Sequence, residues 1–139
     1  MSRITRKTRV TLWIIQGLLA ALFLFAGGMK LVASPELLKG PVALPIGFLR
    51  FIGGAEFAGA IGLILPGLLR IKPFLTSLAA LGLVIIMAGA TVISFMAGPA
   101  ASASIPAVVG ILAAVVGYGR WKVAPFAQRS PKPELQLAA

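Results

Sequence analysis

From Val10 to Trp121 the chain is built of four apolar runs separated only by short stretches rich in proline, glycine and basic residues. Each run has about 20 residues, and at roughly 1.5 Å of helical rise per residue that reaches across the roughly 30 Å hydrocarbon core of a bilayer. Backbone N–H and C=O groups find no water there, so a long unbroken apolar run satisfies itself only as a helix. The pattern predicts an all-α protein, a bundle of four transmembrane helices. Composition agrees: 59% of residues are hydrophobic and 12% are charged, against about 25% charged in a soluble domain. Four spans use up most of 139 residues, leaving one helical domain over 10–122, a basic N-terminus over 1–9 and a mobile tail over 123–139.

The predicted spans are 10–29, 47–65, 74–97 and 104–121. Arg3, Arg6, Lys7 and Arg9 precede the first. Its apolar stretch is longer than the 7 to 15 residues usual in a signal peptide, so it reads as a retained span. The connection after it, KLVASPELLKGPVALPI, carries Pro35, Pro41 and Pro45. Ser34 before Pro35 and Glu36 suits a helix start and Gly40 with Pro41 a stop, which predicts a single interfacial turn. Pro66 and Gly67 are read as the end of the second span, and Pro73 as part of the first turn of the third. Gly54, Ala58 and Gly62 recur every four residues and predict a small face for close helix approach. Tyr118, Arg120, Trp121 and Lys122 read as an interfacial anchor closing the fourth span.

Basic residues sort the connections into two sets. The N-terminus, the segment with Arg70 and Lys72, and the C-terminal part with Arg120, Lys122, Arg129 and Lys132 are rich in them. The first connection has only Lys30 and Lys39, and GPAASAS has none. By the excess of lysine and arginine in cytoplasmic loops, both termini are expected in the cytoplasm and the chain in a bacterial inner membrane as a multi-pass protein. The net charge of +10 has the same origin, because the cations sit at span ends and do not alternate with base-stacking aromatics. Nucleic acid is therefore not an expected partner. The expected partners are the lipid bilayer, a membrane protein or a second copy of the chain, and a lipidic small molecule.

The chain has neither cysteine nor histidine. That excludes thiol-disulfide exchange, cysteine- or histidine-based nucleophilic catalysis, iron-sulfur ligation and ordinary zinc sites, and no metal site is predicted. Met29, Met87 and Met96 are better read as gap-fillers than as haem ligands. GGAEFAGAIG is rich in glycine but lies inside a span and lacks the strand-turn-helix setting of a phosphate loop.

Only three acidic residues occur, and Glu56 alone falls inside an apolar run. Glu36 and Glu134 read as solvated charges. A charge near the bilayer centre costs about 2.5–3.5 kcal/mol on insertion scales, so such a residue faces protein or water and often carries function. Glu56 lies roughly 13 Å from the outer end of its span by helical rise. Arg50, six residues earlier, is about 120° away around the helix, a poor partner within one helix. The candidates for a paired or ligand-facing polar site are Glu56, Arg50, Lys30 at the end of the first span, and Gln16 within it. Ser77, Thr91 and Ser94 are further possible partners for the carboxylate. Two roles stand open: Glu56 as interhelical polar glue, or as a pocket carboxylate that binds a ligand or takes up a proton. A catalytic constellation is not visible, since no second acid lies in any span.

The run RFIGGAEFAGAIGLILPGLLR, Arg50 to Arg70, resembles the second membrane helix of the DoxX-like family, with its pattern R-x-I-G-x-x-E-x-x-G-A-I-G-L-I-L-P. FLFAGGMKLVASPEL, Phe23 to Leu37, is similar to the end of that family's first helix, where a small residue and a lysine precede a loop. The likeness covers roughly residues 10 to 122. It implies a small four-helix integral membrane protein with Lys30, Arg50 and Glu56 as the polar positions of interest. The family takes its name from a subunit associated with a quinol oxidase, some relatives are linked to membrane redox complexes, and distant animal relatives assist assembly of membrane receptors. The absence of cysteine sets this chain apart from any thiol-dependent redox relative. The function so implied is a small-molecule-binding or accessory subunit of a membrane complex; the alternative is a quinone-linked oxidoreductase subunit in which Glu56 handles a proton.

Overall fold

The computed structural model describes residues 5–72 and 74–123. Helix α1, Arg6–Val32, starts where the side chain of Thr5 accepts from the Thr8 backbone N–H, and ends just before Ser34 and Pro35. Pro35–Leu38 forms a single helical turn, α2, with proline in its first turn as the sequence predicts. Helix α3 is Ile46–Leu69, α4 is Phe74–Ala97 and α5 is Ser104–Tyr118. A 3-10 turn, Ala100–Ala103, leads into α5, and one π-helical turn, Gly119–Val123, follows it. Strands are absent among the described residues. The predicted tail and Pro73 lie outside the described residues, apart from Val123 in the π turn.

Four helices are long and apolar enough to cross a membrane, the fourth when the turns flanking α5 are counted with it. The third and fourth predicted spans coincide closely with α4 and with α5 plus its following turn. Two helices run past the predicted spans. Helix α1 runs beyond 10–29 at both ends, because the basic residues at its start and Lys30 near its end continue the helix. Helix α3 does not stop at Pro66; it passes through that proline and ends at Arg70, whose left-handed backbone (φ 52°) lets its N–H and that of Ile71 both reach Pro66 O. A membrane helix tolerates an internal proline when a neighbour satisfies the loosened backbone. Here the Gln16 side chain on α1 donates to Leu63 O, one turn before Pro66.

The helices pack in a ring, α1 against α3, α3 against α4, α4 against α5, and α5 back against α1. Phe23, Leu63, Leu83 and Val116, one from each, meet in a core with almost no exposure. Met87 fills the edge of that core, whereas Met29 and Met96 face outward. Leu12 packs on Gly119, so the start of α1 and the end of α5 lie at one end of the bundle. The end of α1 meets the first part of α3 at the opposite end. Neighbouring spans therefore alternate in direction.

Candidate functional site

The site begins with two glycines. A Cβ on Gly27 would sit 2.6 Å from Gly53 O and 2.8 Å from the Phe57 backbone N, and a Cβ on Gly53 would sit 2.6 Å from the Lys30 Cβ. Backbone therefore touches backbone where α1 crosses α3, a contact open only to residues without a side chain. The small face predicted from Gly54, Ala58 and Gly62 is not the one used against α1. Gly54 makes no closer contact than 4.0 Å, to Leu31, and Ala58 is exposed. Gly59 and Gly62 instead admit Leu83 and Ala79 of α4. The reason is geometric: the face that meets α1 follows the three-and-four spacing of Gly53, Glu56, Ala60 and Leu63, all buried.

At this crossing Lys30 Nζ donates to Glu56 Oε2 at 2.7 Å. Glu56 is 2% exposed, while the Lys30 side chain keeps 29%. Helix geometry explains how residues of such different position along their helices meet. Side chains lean toward the N-terminus of their own helix. Lys30, in the last turn of α1, therefore dips back into the membrane. Glu56, on the antiparallel α3, leans toward the end from which Lys30 comes. Close backbones shorten the gap, so the ammonium reaches the carboxylate without stretching either helix apart.

Arg50 obeys the same lean. It lies in the first turns of α3, so its side chain points away from Glu56 and toward the end of α1. There its guanidinium donates to Leu31 O, to Ala33 O at 3.1 Å and to Lys30 O at 3.5 Å. Helix C-termini leave carbonyls unpaired and carry partial negative charge, so a cation with several donors is well placed there. Arg50 caps α1, and Lys30 neutralises Glu56.

Gln16 lies in a separate polar cluster toward the other end. Completely buried, it donates from Nε2 to Leu63 O and accepts at Oε1 from Arg120 Nε, 2.9 Å away. The Arg120 guanidinium also lies over the Trp13 ring, 5.1 Å from its centroid, in cation–π contact. The interfacial-anchor reading of this end thus needs division. Trp121 and Lys122 are exposed, but Arg120 is 3% exposed and turned inward. A signal for this was present: Arg120 falls seven residues after Ala113 and four after Val116, on the buried stripe of α5.

The hydroxyls proposed as partners for Glu56 are engaged elsewhere. Ser77 Oγ donates to Gly117 O at 3.0 Å and Thr91 Oγ1 to Met87 O at 2.7 Å. Ser94 meets Ser102 rather than Glu56, through its backbone carbonyl, which accepts from Ser102 Oγ at 3.1 Å. The four candidate site residues therefore form two groups: Lys30, Glu56 and Arg50 around the end of α1, and Gln16 with Arg120 and Leu63 nearer the opposite end.

Four alternating apolar spans, with a lysine–glutamate pair closed between the first two, define a small helical integral membrane protein. The chain belongs to the DoxX-like family, whose model matches residues 14–116. Among curated proteins and solved structures no match to the chain is found. The matched residues take in Gln16, Lys30, Arg50 and Glu56 and stop short of Arg120.

Proposed function

We propose that this DoxX-like protein serves as an accessory or small-molecule-binding subunit of a membrane complex, without chemistry of its own. One observation carries the reading: Glu56, the sole acid within the four spans, is buried and closed on Lys30 at 2.7 Å. Arg50 and Gln16 are likewise spent on backbone carbonyls of neighbouring helices. Buried polar groups that satisfy one another specify how helices sit. What they leave for function is the outer surface of the bundle. The basic ends of α1 and α5 favour the cytoplasmic side for both termini, in a bacterial inner membrane, by the distribution of lysine and arginine.

The quinone-linked alternative, in which Glu56 moves a proton, requires the ion pair to open during turnover. Glu56→Gln separates the readings. An amide keeps much of the hydrogen bonding at the cost of the charge, about 1–2 kcal/mol. The accessory reading expects a modest loss of melting temperature in detergent, with any partner or lipidic molecule identified by mass spectrometry still co-purifying at the wild-type ratio. Loss of a co-purifying quinone with melting unchanged would overturn it in favour of the redox reading.

A further inference from the structure

Along the surface where α4 meets α5, near the end of the bundle that carries Arg120, runs a groove of about 330 Å³ between Leu81 and Val84 on one side and Ala113, Ala114 and Gly117 on the other. Its floor is apolar. The groove exists because small residues on α5 face larger ones on α4, while the Ser77 hydroxyl, bonded to Gly117 O, pins the two helices together. Tyr118, Trp121 and Lys122 stand at its mouth, and all three are exposed. From Ala113 to Lys122 the helical rise is about 14 Å, close to half the roughly 30 Å hydrocarbon core. The groove thus has the length of one lipid chain in one leaflet.

Charge selects among lipids. The same end of the bundle carries Arg6, Lys7, Arg9, Arg70, Lys72 and Lys122, whereas the acids among the described residues, Glu36 and Glu56, belong to the α1–α3 crossing and the connection beyond it. We propose that the α4–α5 groove is a binding site for an anionic phospholipid, with an acyl chain along Leu81, Val84, Ala113 and Ala114 and the phosphate at Lys122. Trp121 and Tyr118, apolar in body and polar at the tip, flank the glycerol level, where such rings settle at a membrane interface. Basic pockets between membrane helices hold anionic head groups through the same attraction, worth about 1 kcal/mol per lysine near the surface.

The test uses the full chain in nanodiscs containing equal parts phosphatidylglycerol and phosphatidylcholine with matched acyl chains, followed by native mass spectrometry of the retained lipid. Phosphatidylglycerol is expected in excess. Lys122→Gln should lower the ratio of the two lipids about fivefold, the change that one lysine of this kind supplies. Lys39→Gln, exposed in the connection at the opposite end of the bundle, should leave the ratio unchanged. Ala114→Phe, at an exposed position in the floor, should reduce retention of both lipids. Equal retention of the two lipids by the wild-type protein, or an unaltered ratio in Lys122→Gln, overturns the proposal. So does a lipid-free dimer that Ala114→Phe dissociates, because a second copy would then occupy the groove.

Discussion

The α1–α3 pair and the α4–α5 pair are held together by different means. Within their most apolar windows, 33% of α1 and of α3 is buried, against 17% for α4 and for the span containing α5. Between α1 and α3, glycines bring the backbones together and a full ion pair sits beside the contact. Between α4 and α5, Gly110 and Gly117 also let the helices close on Met87 and Ala80, but the polar contact there is a hydroxyl-to-carbonyl bond from Ser77 to Gly117, and space is left open along the lipid-facing side. The contrast teaches that the ion pair sits where the backbones of two helices touch. There a buried charge is shielded from lipid and its partner is within reach. The α4–α5 pair, with less of its surface buried, keeps more of it facing outward.

The largest expected effect comes from leaving a buried charge alone. Lys30→Met strands the Glu56 carboxylate and should cost about 3 kcal/mol of unfolding free energy, measured by reversible unfolding in mixed micelles. A matched pair of methyl insertions sharpens the comparison next. Gly53→Ala would bring its Cβ within 2.6 Å of Lys30 Cβ and 2.9 Å of Gly27 O, whereas Gly82 on α4 has no neighbour within 4 Å of a Cβ. Overpacking at Gly53 should cost about 1–3 kcal/mol, and Gly82→Ala should lie within about 0.5 kcal/mol of neutral or slightly stabilise the helix. Equal responses at the two sites would contradict the close backbone approach of α1 and α3 at Gly53. A small change is also expected of Ser77→Ala, whose loss of one interhelical hydrogen bond should cost about 0.6 kcal/mol by the same unfolding measurement. A loss as large as that for Lys30→Met would place the α4–α5 pair on the same footing as the first.

Much of this arrangement was legible in sequence, and the misses share a cause. Span number follows from hydropathy, and the short turn at Pro35–Leu38 from its proline and glycine punctuation. Angular spacing disfavours Arg50 as a partner within its own helix and leaves Lys30 among the candidates. What spacing along one helix does not convey is the lean of side chains across two helices. That lean sends Lys30 down to Glu56 and Arg50 up to the end of α1. It also sends Arg120, at the end of α5, inward to Gln16, where basic and aromatic composition suggested only an interfacial anchor. Pro66 is a strong stop signal for a soluble helix, but α3 continues through it to Leu69, as proline permits inside a membrane bundle.

The central claim is that Lys30 and Glu56 act as one unit that holds α1 to α3. A double-mutant cycle with Lys30→Met, Glu56→Met and both together tests it by unfolding free energy. Removing both charges leaves no stranded group, so the double variant should be more stable than Lys30→Met and lose less than the sum of the two single losses by at least about 1 kcal/mol. Strict additivity of the single losses would contradict the account, because the two side chains would then contribute independently.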